Sequence, residues 1–509
     1  MADFEGYLVI FLLGVISAVF VKVLLKSNPA KCLIPPTPFA LPIIGHLHLL
    51  GPKPHQVFHK LSVRYGPVFR LFLGSVPCVI FTSSESAKEL FKTSDSAFLN
   101  RPHNSCMDYI SYGGNSIIFA PYGSYWKFLK KTVMSELLNA RTLDSLLPVR
   151  RDELNRFITF LSRKAKDGKP VELQAELMNM TNNVISRMLI GKRCTTEGDD
   201  GGVIRRIVTD IGEVMGIFNL SDHIWFFKNL DVQGVKKRSK EIRARFDSLI
   251  EKIIKEHEEV RKEIKKKGEV LKDLLDILLD ISENEGMEIK LTREHVKAFI
   301  LDIMGAGTHS SAITTEWALA ELINHPKIMK KAVEEIDQVV GKNRLLQEAD
   351  IPNLPYLQAI VKESLRLHPA APVIQRQSIV DCTVGGYKIP AKTTIFFNVW
   401  SLGRDPTYWE SPLEFRPERF AEKQMDVKGQ NFQLLPFGSG RRMCPGTSLA
   451  LMVIHVTLGS MIQCFEWKAG WDGNQTSVDM EEGTGITIPR ANPLVCIPAA
   501  RIDPVFLCM

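Results

Sequence analysis

The sequence contains no Cys-x-x-Cys pair. Its cysteines, at positions 32, 78, 106, 194, 382, 444, 464, 496 and 508, are odd in number and widely scattered. That pattern indicates neither a disulfide framework nor a zinc site, and it fits a reducing compartment. No Gly-x-Gly-x-x-Gly follows a strand-like run and no Walker motif is present, so no nicotinamide or flavin site of that kind is indicated. Any redox chemistry therefore takes its electrons from elsewhere. No internal repeat appears, and no Gly/Ser linker or low-complexity break divides residues 50 to 500. One large folded body is expected, although a chain of 509 residues would by length alone suggest several domains. Single-sign charge is also scarce. A net charge of +7 is modest for this size and does not point to nucleic acid.

What the chain has, first, is an uncharged run from Tyr7 to Val21 within an apolar stretch from Gly6 to Leu25. About 20 helical residues cross a bilayer core of ~30 Å. A cleaved signal peptide is the alternative, but Asp3 and Glu5 make the leading residues acidic and no clean small-residue cleavage site follows. Lys22, Lys26 and Lys31 follow the run, which by the positive-inside rule places the bulk of the chain in the cytosol. Residues 1–26 thus read as a membrane signal anchor. Residues 27–48, with Pro35, Pro36, Pro38 and Pro42, read as a stiff proline-rich hinge. Residues 49–509 read as the folded body.

That body reads as mainly α with small β sheets. A helix over 55–65 precedes strands Val68–Leu73 and Val76–Phe81, joined as a hairpin at Gly74-Ser75. A helix is predicted from Ser84 to Lys92, and residues 100–120 read as a long loop, a common place for function. Helices are predicted over 121–139, 144–166, 172–190, 203–218, 235–266, 270–283, 292–324, 326–340 and 353–367. Strands return within 373–400 and 484–497.

The chain is organised around Phe437-Gly438-Ser439-Gly440-Arg441-Arg442-Met443-Cys444-Pro445-Gly446. Gly438 and Gly440 permit a tight turn, which can aim N–H donors at one sulfur. Such donors stabilise a thiolate and tune an iron bound to it. Arg441 and Arg442 add positive charge, which lowers a thiol pKa. The apolar run from Leu449 to Ile462 reads as a helix whose N-terminal end favours a negative sulfur. Taken alone, a cysteine between glycines is usually an ordinary loop residue.

Here the pattern Phe-x-x-Gly-x-Arg-x-Cys-x-Gly is complete, and it resembles the haem-ligand loop of the cytochrome P-450 superfamily. The resemblance extends along the chain through the anchor, the proline hinge, Trp126, Glu363-Ser364-Leu365-Arg366 and Pro417-Glu418-Arg419-Phe420. It implies the cytochrome P-450 fold with an N-terminal transmembrane helix. It also implies haem b with Cys444 as the axial thiolate. Arg442, Trp126, Lys130, Arg376 and Phe437 are then cofactor-binding candidates. Lys130 stands where the family has an arginine, so it keeps the charge but loses the bidentate fork. Lys127 and Lys131 read either as a solvated basic face or as a docking point for an acidic redox partner. In isolation Glu363 and Arg366 read as a routine surface ion pair. By resemblance, Glu363, Arg366 and Arg419 form a buried structural network.

The sequence is most similar to plant microsomal members of the flavonoid and isoflavonoid oxygenase group. That group includes dihydroxypterocarpan 6a-hydroxylase, flavone synthase, flavanone 2-hydroxylase and isoflavone synthase, with a β-amyrin 24-hydroxylase as a cousin. The chain departs from the family at Ala306-Gly307-Thr308-His309-Ser310-Ser311. His309 occupies the acid position and Ser310 the alcohol position of the pair that helps deliver protons during oxygen activation. Thr308, His309 and Ser310 are the catalytic candidates. Histidine titrates near neutrality and can relay protons. Phe119, Met215, Phe218, Ala306, Val373 and Ile486 are candidate pocket walls.

Three functions follow. The first is an NADPH- and O2-dependent monooxygenase, fed by NADPH–cytochrome P-450 reductase at the endoplasmic reticulum membrane and acting on a small hydrophobic flavonoid, isoflavonoid or triterpenoid. The second is a reductase-independent haem-thiolate isomerase or dehydratase, suggested by the altered helix motif. The third is a haem-binding protein without turnover.

Overall fold

The computed structural model describes residues 34–502 apart from 103, 195–199, 265–271 and 423–424, together with Gly14. The anchor expected over residues 1–26 lies otherwise outside the described residues. Among the described helices, Thr447–Cys464 alone is long and apolar enough to cross a membrane, and it is mostly buried inside the protein. It is a core helix.

Long amphipathic or wholly buried helices form most of the body, and the longest, Arg293–Asn324, runs through its centre. Thr292 starts that helix by accepting the N–H of His295, while the His295 ring accepts the N–H of Thr292. This central helix packs on Leu173–Ile190 and on Thr447–Cys464. Gly307 permits the first contact, since a Cβ there would lie 2.8 Å from the Ile185 side chain.

Strands β1 (Val68–Leu73) and β2 (Val76–Phe81) form the expected hairpin. β3 is Val171–Glu172, β4 Val373–Gln377, β5 Cys382–Val384, β6 Tyr387–Ile389, β7 Thr394–Asn398, β8 Phe465–Ala469 and β9 Val495–Ala500. They make sheets in the orders β1-β2-β7-β4, β3-β9-β8 and β5-β6. Only β2 and β7 pair in parallel among these. β8 is not apparent in the sequence, because it continues directly from the apolar Thr447–Cys464 helix.

Two predicted boundaries need correction. The long loop over 100–120 contains a helix, Ser105–Ile110, whose first turn is capped by Asn104 accepting the Met107 N–H at 3.2 Å. Two helices stand around the one expected over 144–166: a short one, Ala140–Ser145, lying mostly before it, and then Leu147–Lys166, which covers almost all of it. Pro148 lies in the first turn of the second, where a missing N–H costs nothing. The described part of the proline segment is docked on the sheet. Arg70 N–H donates to Pro36, and His46 exchanges hydrogen bonds with Phe72 through its own N–H and its Nδ1.

Candidate active site

The cysteine loop closes on itself. Cys444 N–H donates to the Phe437 carbonyl at 3.0 Å, and Met443 N–H to that of Gly440 at 3.1 Å. Gly438 and Gly440 have φ of 73° and 71°, the left-handed region that glycine enters without strain. Gly440 is also pressed against Asp95, whose Oδ1 would lie 2.5 Å from a Cβ. The donors to the Cys444 sulfur come from the residues after it, the Gly446 N–H and the Thr447 side chain, at the start of the Thr447–Cys464 helix. Burial nevertheless raises the thiol pKa, with those donors and Lys130 acting against it.

Here the roles expected of the two arginines change. Arg441 pairs with Asp95 at 3.4 Å, near the surface. Arg442 turns away from the sulfur to the carbonyls of Ile117, Ile118 and Ala120, with its guanidinium 4.5 Å from the Trp126 ring centroid. The cation that acts on the thiol is Lys130, whose Nζ donates to the Met443 carbonyl at 3.0 Å. Lys127 and Lys131 lie exposed on the solvent side of the same helix, Ser124–Thr132.

Three guanidiniums converge behind this loop. Arg101 and Arg376 both donate to the Gln375 carbonyl, at 2.6 and 2.9 Å. Arg376 also donates to Arg442 O at 3.3 Å. Burial pushes Arg101 down to about 10, and burial together with the charges of the neighbouring guanidiniums pushes Arg442 down to about 9 and Arg376 well below the ordinary arginine range. Asp95 is the one carboxylate that offsets Arg376. Arginine stays protonated at neutral pH, so the depressed basicity measures the cost of holding these charges together. The Nε atoms of Arg101 and Arg442 are buried without partners. Cys444 and Arg101 are enclosed by protein yet retain accessible surface, so both face an internal space. A soft thiolate at one edge and a cluster of unneutralised cations at another suit a metal macrocycle carrying acidic side groups. The residues present therefore fit haem b.

Trp126 is buried and donates its indole N–H to Ile117 O at 2.9 Å. Phe437 packs its ring into the main core and contributes its carbonyl to the loop. On the central helix, residues turn by about 100° each. Ala306, accessible within the body, marks the side facing the internal space. His309 and Ser310 fall within about 60° of it, whereas Thr308 falls on the opposite side. Thr308 is buried and donates to Met304 O at 2.8 Å, so its place as a catalytic candidate is not supported. Ser310 Oγ donates to Ala306 O at 3.0 Å. His309 is held neutral by burial, which lowers its pKa.

Glu363, Arg366 and Arg419 are brought together as a buried unit. Arg366 forks onto Glu363 at 2.7 and 2.8 Å, and Arg419 Nε reaches the same carboxylate at 2.9 Å. Arg366 further donates to the carbonyls of Gly403, Pro412 and Glu414. Of the expected pocket walls, Phe119, Met215 and Val373 are partly buried, while Ile486 is largely exposed. Phe218 stacks on His223 at 4.2 Å between ring centroids, in a surface segment beside the β1–β2 turn. Two residues escaped the sequence reading. Arg101 had no signal beyond its place in the 100–120 stretch. Asp302 was visible as a lone acid in Phe299-Ile300-Leu301-Asp302-Ile303-Met304.

A cysteine thiolate at a helix start, backed by buried cations and faced by a long helix, defines a haem-thiolate enzyme. The family model described as Cytochrome P450 matches residues 35–497, and the chain belongs to that family. It is 53% identical to "Cytochrome P450 93A3" of Glycine max over 98% of this chain and 99% of that one. It is 50% identical to "3,9-dihydroxypterocarpan 6A-monooxygenase" of Glycine max, again over 98% and 99%. "Beta-amyrin 24-hydroxylase" of Glycine max is 45% identical over 99% of both. A solved zebra fish cytochrome P450 with progesterone superposes with a TM-score of 0.74 at 27% identity, covering 88% of this chain and 99% of that one. The protein is a cytochrome P450 monooxygenase dependent on NADPH and O2, with haem b as cofactor.

Proposed function

We propose that this monooxygenase is anchored in the endoplasmic reticulum membrane, takes electrons from NADPH–cytochrome P-450 reductase, and oxidises a flavonoid or isoflavonoid. The observation that carries the substrate class is the full-length 50% identity to a pterocarpan monooxygenase. The 45% identity to the β-amyrin hydroxylase supports a triterpenoid as the second reading. Haem with a thiolate ligand supplies the oxygen-activating chemistry. The chain's own residues do the rest. Cys444 presents the sulfur, Lys130 and the Gly446 N–H favour its anionic form against burial, and Arg101, Arg376 and Arg442 would hold the acidic groups of the cofactor. Ser310, with a hydroxyl that both donates and accepts, and neutral His309 stand where protons must be handed on.

Docking of an acidic reductase is supported by the exposed Lys127 and Lys131, one helical turn apart on the solvent side of the Ser124–Thr132 helix. Membrane contact is supported by exposed apolar residues at Ile34, Phe39, Leu41 and Ile43 and at Trp225, Phe226, Leu230 and Val232. The two groups flank one turn, because Gly74 N–H donates to Ile44 O and Ser75 N–H to His223 O.

The test is turnover of flavonoid and triterpenoid panels in membranes with and without reductase and NADPH. Product that forms equally well without them would replace the oxygenase with an isomerase or dehydratase. Cys444→Ala should abolish the thiolate-type Soret band of the reduced carbon monoxide complex, and a persistent band would refute the ligand assignment. Asn474, an exposed sequon residue, should stay unglycosylated in a cytosolic body. A mobility shift with glycosidase would reverse that orientation.

A further inference from the structure

Asp302 is a buried carboxylate on the central helix with no ion-pair partner among the described residues. Burying an unpaired charge is costly unless donors surround it. The donors come from a single turn. Ser116 Oγ donates to Asp302 Oδ1 at 2.6 Å and Ile117 N–H to Oδ2 at 2.7 Å. Ser116 is itself fully buried, and its oxygen accepts the N–H groups of Ile118 at 3.1 Å and Phe119 at 3.4 Å. One carboxylate thereby accounts for the polar groups of four consecutive residues.

The other side of that turn serves the cofactor. Ile117 O accepts the Trp126 indole N–H, and the carbonyls of Ile117, Ile118 and Ala120 accept Arg442. Asp302 also lies one helical turn before Ala306, on the edge that faces the internal space. Phe119 and Ala306 are thus fixed relative to one another through a single side chain.

We propose that Asp302 is a positioning residue that pins the Ser116–Ala120 turn to the central helix, setting at once a wall of the substrate space and the carbonyl cradle of Arg442. The role rests on the haem-site reading, but its test does not require turnover.

The full chain loaded with haem is compared with Asp302→Ala, Asp302→Asn and Ser116→Ala by two measurements. The first is amide exchange of residues 116–120. Loss of this acceptor should speed exchange there by roughly 10-fold or more in Asp302→Ala. Asp302→Asn, which keeps one acceptor oxygen, should fall between it and wild type.

The second is binding of two iron-ligating probes, imidazole and phenylimidazole, read from the Soret shift. Both reach the iron, but only phenylimidazole has a body that meets the pocket wall. Asp302→Ala should weaken phenylimidazole by roughly 10-fold and imidazole by no more than about 2-fold. Equal weakening of both probes, an unchanged ratio, or wild-type exchange at 116–120 would each overturn the assignment. Should Asp302→Ala fail to fold, Ser116→Ala decides: exchange at 117–119 must rise, and unchanged exchange refutes the anchor. If wild type shows no thiolate-type carbon monoxide band, the haem reading fails separately from this one.

Discussion

Lys130 donates to the carbonyl of Met443 at 3.0 Å, one residue before the cysteine that defines the site. The same ammonium favours the thiolate across the turn. Lys130→Met should therefore lower the share of protein with a thiolate-type carbon monoxide band, while Lys130→Arg should keep most of it. The share is read from the reduced difference spectrum at constant haem content.

Arg101 is one of three crowded guanidiniums, and its Nε has no partner. Arg101→Ala should weaken haem retention by about 1.5–3 kcal/mol, the worth of a hydrogen bond to a charged group. The measurement is haem transfer to an acceptor protein. Retention equal to wild type would place the acidic groups of haem elsewhere.

The Glu363–Arg366–Arg419 unit is buried, so losing its acid leaves two uncompensated cations. Glu363→Ala should cost about 3–5 kcal/mol and lower the Tm sharply. Arg419→Ala should cost less, because the Arg366 fork on Glu363 survives. Denaturant unfolding of the two variants tests that order.

Ser310 donates to a helix carbonyl and is free to rotate away, and His309 is neutral near pH 7 because burial lowers its pKa. His309→Ala combined with Ser310→Ala should lower product per NADPH and raise peroxide. His309→Asp with Ser310→Thr should tighten coupling. Product, NADPH and peroxide are measured together in reductase-supplemented membranes. A double alanine variant equal to wild type in all three would dismiss the relay.

Burial pushes the Asp302 carboxyl up to about 7, with Ser116 and the N–H groups of Ile117 and Ile118 opposing it. Tyr125 is the titratable neighbour that senses its charge. An unfolded aspartate titrates near ~4, so between these values the folded state holds more protons. The stability contributed by Asp302 therefore falls as pH rises through that window and is constant above it. The Tm advantage of wild type over Asp302→Asn should therefore be larger at about pH 5 than at about pH 8. An advantage that grows with pH would contradict the burial of this carboxyl.

The sequence by itself determined the ligand loop, because a thiolate at a helix start needs glycine turns and a cysteine at fixed spacing, and all are local. It likewise determined the β1–β2 hairpin, whose strands the structure bounds at the same residues. Most helices were legible from the apolar period, although one starts only at Leu147, with Pro148 in its first turn, and Asn104 started another inside an expected loop. Only the tertiary structure decided which charges meet. Arg441 and Arg442 are adjacent in sequence yet part company, one to Asp95 and one to the Ile117–Ala120 carbonyls. Lys130 is more than three hundred residues from Cys444 but is the cation that acts on it. Arg101 and Asp302 carried no motif. The Gln375 carbonyl meets Arg101, and the Ile117 N–H joins the Ser116 hydroxyl on Asp302; packing brings these groups near, and a main-chain group leaves no trace in the identity of its residue.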